Sequence, residues 1–255
     1  MSPGLPVVKA HAYGNDFLLV PESDVGGRDL PSLARRLCDR HEGVGADGLM
    51  LYEIVDDRLR IRLHNADGSA SEISGNGVRC LAAYALDQRL IRHEREVTIE
   101  TAAGVKTLEL VDRRQGRWTF RATMGLPSGI RQLELEAAGE HVRTVVLSVG
   151  NPQCILLGPL DPHRLHTLGP ALECHEAFPD RTNVAFVEVV TRQHLRILIW
   201  ERGVGPTAAS GTGACGSAVA AMTYGGADRT VDVESPGGVQ RVEWHADGLY
   251  LTGWA

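Results

Sequence analysis

Two short phrases of the sequence combine a hydroxyl side chain with glycines in a pattern that can bind an anion. They are Ser-Gly-Asn-Gly at residues 74–77 and Ser-Gly-Thr-Gly at residues 210–213, and each opens a run of small, apolar residues typical of a helix. A helix beginning offers unpaired backbone N–H groups and the positive end of the helix dipole, and glycines let a ligand approach closely. Two such ends could hold one carboxylate and present an oxygen to each face of the adjacent carbon. We therefore expect Ser74 and Ser210 to face each other across a ligand-sized cleft.

Each serine also has a purely structural interpretation. Serine is among the best N-cap residues, because its hydroxyl accepts a hydrogen bond from an N–H group of the first turn. For either serine alone, this interpretation is the better one. The serine recurs together with the glycine spacing, once in each half of a chain of 255 residues, and this recurrence favours a paired site.

The hydrophobic pattern predicts the elements that must position these phrases. Short apolar or alternating stretches bounded by turn residues predict two series of strands. The first series comprises residues 7–10, 17–20, 49–52, 59–63, 97–100 and 119–122, and the second comprises residues 142–149, 154–157, 184–190, 195–200, 239–244 and 249–252. Helices are predicted at residues 33–40, 78–90, 162–168 and 214–224.

The two helices that follow the phrases are apolar nearly all round. Residues 80–86 and 214–222 carry small or apolar side chains on almost every face, which indicates burial on all sides. We therefore predict an α+β fold of two pseudo-symmetric domains, each a curved mixed β-sheet wrapped around a central helix. The expected domains are residues 1–117, completed by the C-terminal strand 246–255, and residues 118–245, with the site in the cleft between them.

The composition narrows the class of partner. A net charge of −6 with both signs dispersed argues against a nucleic-acid or anionic membrane surface. No stretch is long and apolar enough to cross a bilayer and no signal peptide is evident, so we expect a cytoplasmic protein. The five cysteines include no Cys-x-x-Cys pair, which favours reduced, mostly buried thiols. His163 and His166 have helical ligand spacing but no third ligand is evident, so no metal is expected.

Five further motifs lie outside the two phrases. They occupy residues 9–17, 40–48, 65–69, 150–152 and 201–205, and their order and spacing resemble diaminopimelate epimerase over most of the chain. The resemblance implies that family's two-domain fold and an inversion of an amino-acid α-carbon without cofactor or metal. The implied reaction converts LL- to meso-diaminopimelate, a precursor of lysine and peptidoglycan. The implied partner is a small amino-acid substrate, and a homodimer is left open.

Inversion without a cofactor requires a base on one face of the α-carbon and an acid on the other, while the helix ends stabilise the carboxylate as it gains charge. In the family that the chain resembles, both proton-transfer groups are cysteines, and the corresponding positions here are Ser74 and Ser210. The helix dipole contributes only about 1 kcal/mol, far less than ionising an alcohol requires. A serine therefore needs a neighbouring base, for which Glu72 and His64 are the local candidates.

The resemblance also implies a set of residues that bind the substrate's amino and carboxylate groups. They are Asn15, Asn65, Gly75, Asn76, Asn151, Asn183, Glu201, Arg202, Gly211 and Thr212. Taken singly, asparagines beside glycine, aspartate or proline are typical of turns, and Glu201 with Arg202 is typical of a surface ion pair. Their joint occurrence inside the motifs favours contact with a ligand.

Two other positions depart from the pattern of the family. Gln153 stands where histidine is usual, and Pro206 stands where an acidic residue is usual. Three functions therefore remain open. The first is an epimerase in which assisted serines act slowly or on an easier substrate, and the second is a racemase, dehydratase or isomerase of the same fold acting on another amino acid. The third is an amino-acid-binding relative with impaired catalysis, or an enzyme whose cysteines were deliberately replaced to trap a ligand. The motifs agree best with the first.

Overall fold

The structure is a computed structural model that describes residues 4–93 and 95–255. Its strands are β1 Val8–Ala12, β2 Asn15–Pro21, β3 Gly48–Val55, β4 Arg58–Asn65, β5 Ala70–Ser71, β6 Glu96–Thr101, β7 Gly104–Arg114, β8 Arg117–Gly125, β9 Ser128–Ala137, β10 Glu140–Ser148, β11 Pro152–Leu157, β12 Asn183–Thr191, β13 His194–Glu201, β14 Gly205–Thr207, β15 Thr230–Ser235, β16 Gly238–His245 and β17 Gly248–Trp254. Its α-helices are α1 Leu30–Cys38, α2 Gly75–Asp87, α3 Pro162–Glu173 and α4 Gly211–Tyr224.

The chain divides into two compact units. The first unit comprises residues up to Phe120 together with Trp254–Ala255, and the second unit comprises Arg121–Gly253. These are units of packing. That the chain also forms functional domains with the bounds 1–117, completed by 246–255, and 118–245 stays a prediction.

The two units repeat one order of elements and one pattern of strand pairing. The first unit runs β1, β2, α1, β3, β4, β5, α2, β6, β7, and the second repeats this order as β10, β11, α3, β12, β13, β14, α4, β15, β16. In both, the second strand pairs parallel to the third, and the third antiparallel to the fourth. The fourth strand also pairs parallel to the strand after the buried helix. The repeat confirms the predicted pseudo-symmetric α+β fold with mixed sheets.

The second helix of each unit lies in the core of that unit. In α4 every residue from Gly211 to Ala221 is buried, and the helix contacts β10, β11, β12, β13, β15 and β16. In α2 the residues from Gly75 to Ala82 are buried against the first-unit strands, which include β1 and β2. Small side chains allow strands to approach from several directions, as the all-round apolar pattern predicted.

Several strands were missed by the hydrophobic pattern. Among them are β7 and β9, in which charged and apolar residues are mixed and do not alternate cleanly between the two faces. β9 is held by an extended antiparallel register with β10, and β7 by its register with β6. Such strands gain their stability from cross-strand pairing, which a single stretch of sequence does not display.

Within the described ranges, no helix has both the length and the apolar character needed to cross a membrane. All five cysteines are free thiols, and Cys174 is exposed while the other four are buried. The prediction of reduced, mostly buried thiols is confirmed.

Candidate active site

All four α-helices of the described chain begin at a side-chain oxygen cap. Asp29 caps α1 by accepting from the Ser32 N–H at 3.2 Å, and Asp161 caps α3 by accepting from the His163 N–H at 2.8 Å. The buried helices α2 and α4 are capped by serines instead. A neutral cap leaves the positive end of a buried helix available to a ligand carboxylate, whereas an aspartate cap would repel it.

The two serine caps have the same local geometry. Ser74 has an extended backbone and its Oγ accepts from the Gly77 N–H at 3.1 Å, while the Ser210 Oγ accepts from the Gly213 N–H at 3.2 Å. The structural interpretation of the serines is therefore confirmed for both. It leaves each hydroxyl oxygen at the positive end of a buried helix, where a proton-transfer group would also stand.

The second glycine of each phrase makes room for the serine cap. A Cβ added at Gly77 would lie 2.6 Å from Met50 Cε and 3.2 Å from Ser74 Cβ, and one at Gly213 would lie 3.1 Å from Ser210 Cβ. A larger residue would push the capping side chain away from the helix end. The recurring glycine spacing thus has a packing reason, and its role in ligand binding stays a prediction.

Strand pairing brings two predicted site residues, Asn15 and Asn65, and the end of the motif at residues 40–48 to one edge of the first-unit sheet. Asn15 begins β2, Gly48 begins the parallel strand β3, and Asn65 ends the antiparallel strand β4. Phe17 pairs with Gly48, which in turn pairs with Asn65. Because these strand ends adjoin, loops from three separate motifs meet at this edge.

A chain of side-chain hydrogen bonds connects α2 to this edge. Asn76, in the first turn of α2, donates from Nδ2 to Asn15 Oδ1 at 3.0 Å, and Asn15 donates from Nδ2 to Asp47 Oδ2 at 2.7 Å. The buried Arg79 donates from Nη2 to Asn76 Oδ1. The structure therefore joins Asn15 to Asn76 directly, as expected for residues of one site.

An ionic cluster supports the same edge. Arg40 binds Asp16 at 2.8 Å and Asp47 at 2.7 Å, and Lys9 binds Asp16 at 3.0 Å. Burial opposes the charge of Asp16, but hydrogen bonds from Arg40 and Lys9 outweigh it and hold the pKa of Asp16 below its usual value. The carboxylate is thus ionised at neutral pH and ties the start of β2 to the segment before β3.

Asn65 behaves as a turn residue in this structure. Its Nδ2 donates to Ser69 Oγ at 3.0 Å, and its backbone N–H donates to the Ser69 carbonyl. His64, one of the two candidate assisting bases, has its Nδ1 3.2 Å from the Gly68 carbonyl oxygen. These contacts give Asn65 and His64 a role in the turn. Contact of Asn65 with a ligand and assistance of a serine by His64 stay predictions.

The second unit joins its predicted residues with neutral groups. Gln153 donates from Nε2 to Asn151 Oδ1 at 2.8 Å, and Asn151 donates from Nδ2 to Thr212 Oγ1 at 3.2 Å. All three side chains are buried. Gln153 also fills the space beside Gly216 on α4, where an added Cβ would lie 3.0 Å from Gln153 Cγ. Gln153 therefore positions Asn151 and packs against the helix.

Asn183 connects the start of β12 to the turn that carries Arg202. Its Nδ2 donates to the Pro152 carbonyl at 3.0 Å, and its Oδ1 accepts from the Arg202 N–H at 3.1 Å. The Arg202 guanidinium donates from Nη1 to the Asp180 carbonyl at 3.0 Å. The structure thus brings Asn183 and Arg202 together at one end of the sheet.

Glu173 is a supporting residue that the sequence analysis missed. Although only 4% exposed, its carboxylate accepts from Trp200 Nε1 at 2.7 Å and from the Gly203 N–H at 2.8 Å, and it forms an ion pair with Arg181. These bonds hold the turn between β13 and β14, which carries Glu201 and Arg202. The sequence signal was weak, since a glutamate at a helix end is usually solvated.

The cysteines near the two serines belong to the packing. Cys80 lies in α2 and Cys215 in α4, and both are buried. Burial raises the pKa of Cys80 to about 12, so its thiol is protonated at neutral pH and is no substitute for a catalytic thiolate. In the part of the chain that the structure describes, no group of three or more His, Cys, Asp or Glu residues is arranged to hold a metal ion.

Comparison with known proteins assigns the family. A family model described as diaminopimelate epimerase matches residues 7–130 and 145–255. A diaminopimelate epimerase from Desulforudis audaxviator is 43% identical over 96% of this chain and 94% of its own length, and one from Heliobacterium modesticaldum is 38% identical over 96% and 95%. The chain belongs to the diaminopimelate epimerase family, as the five motifs predicted. The relatives that carry this name are isomerases.

Solved structures agree on the fold. The crystal structure of a probable proline racemase from Agrobacterium radiobacter is similar with a TM-score of 0.78 and 16% identity, over 98% of this chain and 90% of that one. At this identity the likeness concerns the fold alone. It matches the predicted architecture of an epimerase-like α+β protein.

Proposed function

We propose that this chain is an amino-acid epimerase that interconverts LL- and meso-diaminopimelate without a cofactor, with Ser74 and Ser210 as its two proton-transfer groups. The observation that carries the proposal is the repeated construction of the two helix beginnings. Each has a neutral serine cap, a buried first turn and a side chain in that turn bonded to an asparagine next to a core strand. Two equivalent half-sites suit a reaction that treats the two faces of one carbon alike.

The proton balance of the reaction defines what each serine must do. One oxygen takes the α-proton of the substrate, and the other serine gives its hydroxyl proton to the opposite face of the carbon. As the proton leaves, negative charge spreads onto the α-carboxylate, which the backbone N–H groups of a helix beginning stabilise. The N–H that donates to each serine oxygen also stabilises that oxygen as it becomes anionic, since bonds to charged acceptors are stronger.

The other predicted site residues are assigned to substrate binding. We assign Asn15, Asn76, Asn151 and Asn183 to the polar groups of the substrate, together with Asn65, Glu201, Thr212 and the helix-opening glycines Gly75 and Gly211. Arg202 would bind a carboxylate through two parallel N–H bonds, a geometry that guanidinium groups favour. The Glu201 carboxylate would orient an amino group of the substrate. A dicarboxylic diamino acid offers a partner for each of these groups.

Serine determines the rate that we expect. An alcohol is a far weaker acid than a thiol, so its conjugate base is seldom present at neutral pH. Turnover therefore depends on assistance from a nearby base and is expected to be slow. Glu72 and His64 are the first residues to replace in a search for that base.

The test is isotope exchange with the purified protein. Stereochemically pure LL-diaminopimelate is incubated in deuterated water, and deuterium at the α-carbon is followed by mass spectrometry while chirality is followed by chromatography. We expect deuterium to enter together with inversion to the meso form. A double Ser74→Ala and Ser210→Ala variant that is still folded is the matched control, and it should lose the exchange.

Other outcomes would reassign the function. Loss of water or movement of a double bond with another amino acid would place the chain with a different reaction of the same fold. Binding of diaminopimelate without any α-proton exchange would make the chain a binding protein, in which the serines serve only as helix caps.

A further inference from the structure

Arg79 is the largest fully buried side chain of the described residues, and it carries a charge. Its exposed fraction is 0%, and it lies in α2 one turn beyond the residues that begin the helix. Burying a guanidinium is unfavourable unless its donors are used, and a cation near a helix beginning is opposed by the helix dipole. The burial of Arg79 at this unfavourable position therefore needs a structural or functional reason.

The contact that Arg79 makes with Asn76 determines how that amide is oriented. Arg79 donates to Asn76 Oδ1, so the Asn76 NH₂ group must point away from the guanidinium. That NH₂ group donates to Asn15 Oδ1 at 3.0 Å, and the Asn15 NH₂ group in turn donates to Asp47 Oδ2 at 2.7 Å. We call Arg79, Asn76, Asn15 and Asp47 the donor relay.

The charges at the two ends give the donor relay its direction. A guanidinium only donates hydrogen bonds, and an ionised carboxylate only accepts them. If either amide flipped, an NH₂ group would meet the guanidinium or an amide oxygen would meet the carboxylate. Both arrangements lose a charge-assisted hydrogen bond, which is buried at Arg79 and partly buried at Asp47, so one orientation of each asparagine is strongly preferred.

We infer that Arg79 is a positioning residue, which acts through Asn76 to fix the amide orientation of Asn15 and Asn76. The inference rests on the proposed function in that these two asparagines are the ones assigned to the substrate. Each amide thereby holds its oxygen and its NH₂ group in one fixed direction. With the orientation fixed, a substrate meets donors and acceptors in a preset order and does not have to reorganise them.

A role in packing alone makes different predictions. The Arg79 guanidinium lies over the Tyr13 ring at 5.7 Å from its centroid, so it also fills core space. If it only filled space, methionine would be a fair replacement and lysine no better. If it orients Asn76, lysine should restore part of the function because it can still donate to Oδ1.

The experiment observes the side-chain amides by nuclear magnetic resonance in the ¹⁵N-labelled protein and in the variants Arg79→Lys and Arg79→Met. In Arg79→Met we expect the Asn15 and Asn76 side-chain signals to shift and their N–H exchange with solvent to accelerate about tenfold or more, because an anchoring bond is lost. In Arg79→Lys the signals should shift less.

The second unit provides the matched control. Gln153 donates to Asn151 Oδ1 as Arg79 donates to Asn76 Oδ1, but without a charge. Arg79→Met should leave the Asn151 amide signal in place, whereas Gln153→Met should move the Asn151 signal and leave that of Asn76. A general loosening of the protein would move both signals in both variants and would count against the inference.

Substrate affinity is a second test of the role of Arg79. Diaminopimelate affinity, measured by calorimetry, should weaken about tenfold in Arg79→Met and recover partly in Arg79→Lys, although both variants lose thermal stability. Unchanged amide signals in a folded Arg79→Met variant, or equal affinity in the two variants, would overturn the inference.

Two further measurements keep the outcome clear. If Arg79→Met does not fold, the Arg79 guanidinium can be observed by nuclear magnetic resonance in the unmodified protein. A hydrogen-bonded guanidinium rotates slowly and gives separate Nη signals. One averaged signal would contradict the donor relay. If the unmodified protein shows no α-proton exchange, the proposed function fails, but the amide measurements still test Arg79.

Discussion

The two units support the same helix beginning in different ways. In the first unit, the bonded pair of Asn76 and Asn15 is held between the buried cation Arg79 and the carboxylate of Asp47. Arg40 and Lys9 add an ionic cluster around the carboxylates of that edge. In the second unit, the equivalent support consists of the amides and hydroxyl of Gln153, Asn151 and Thr212. One backbone repeat therefore accommodates a charged and a neutral support.

The charged and neutral supports should differ in how they respond to pH and to salt. An ionic support depends on the protonation of Asp16 and is weakened by salt where it is exposed, whereas an amide network is sensitive to neither pH nor salt. The direction of hydrogen bonding also differs. In the first unit the helix residue Asn76 donates to the strand residue Asn15, and in the second unit the helix residue Thr212 accepts from Asn151. The two units thus share one backbone arrangement, but the hydrogen bond between helix and strand residue runs in opposite directions.

The largest expected effect tests whether Ser74 and Ser210 act as equivalent proton-transfer groups although the supports of their helices differ. Ser74→Cys combined with Ser210→Cys should raise α-proton exchange on diaminopimelate about a hundredfold or more, because thiols reach the anionic state that alcohols do not. Each single replacement should help much less, since inversion requires a competent group on both faces. The rate of α-deuterium incorporation measures this.

A double cysteine variant that folds and binds diaminopimelate but exchanges no faster would contradict this account. The serines would then have chemistry of their own or no catalytic role. A single variant with the full gain would instead show that the two half-sites are unequal.

The next effect concerns a group that only the second unit has. β13 ends at Glu201 and is followed by Arg202, whereas the equivalent strand β4 ends at Asn65 and is followed by Ala66. Arg202→Ala should weaken diaminopimelate binding about tenfold to a hundredfold through loss of a charge-assisted bond, as measured by calorimetry. Arg196→Ala, which removes an exposed arginine of the same strand, is the control and should bind normally. Unchanged affinity in Arg202→Ala would make Arg202 structural.

A third prediction disrupts the charged support. Asp16→Asn should lower the free energy of unfolding by about 2 kcal/mol at pH 7, because it removes the charge and one of the two oxygens that accept bonds from Arg40 and Lys9. The pKa of Asp16 is depressed in the folded state, so its contribution is present above the unfolded pKa, about 3.9, and is lost as the pH falls towards the folded pKa. The difference between variant and parent in urea unfolding should therefore shrink below about pH 4.

The control for this prediction is Asp232→Asn, which removes an exposed partner of Arg241 in the second unit. An exposed pair contributes little, so unfolding should change by less than about 1 kcal/mol. If both aspartate variants lose equal stability, the ionic cluster of the first unit has no special role.

The smallest effect tests the neutral support. Gln153→Met keeps the volume beside Gly216 but removes the donor to Asn151, and it should cost about 1 kcal/mol of unfolding free energy. The loss should be the same at low and high salt, since no ionised group is involved. A loss that changes with salt would show that the second support is coupled to charges after all.

The sequence predicted the repeat better than it predicted the support. The helices and most strands of both units follow from apolar periodicity, although β7 and β9 do not, and the burial of α2 and α4 follows from their small residues. The donor relay was missed because its members lie far apart in sequence, 61 positions between Asn15 and Asn76, and because nothing in a local stretch shows that Arg79 is buried. Glu173 was missed for the same reason, since its role depends on the hydrogen bonds that Trp200 and Gly203 donate to its carboxylate.

The distribution of the thiols makes the two half-sites open to covalent labelling. Burial raises the pKa of Cys38, Cys80 and Cys154 to about 12, so these thiols react slowly with alkylating reagents at neutral pH. Cys215 is buried as well, and only Cys174 is exposed. With Cys174 replaced by serine, a cysteine introduced at position 74 or 210 would be the most reactive thiol of the chain. Its alkylation rate as a function of pH would then report the electrostatic potential at each helix beginning in turn.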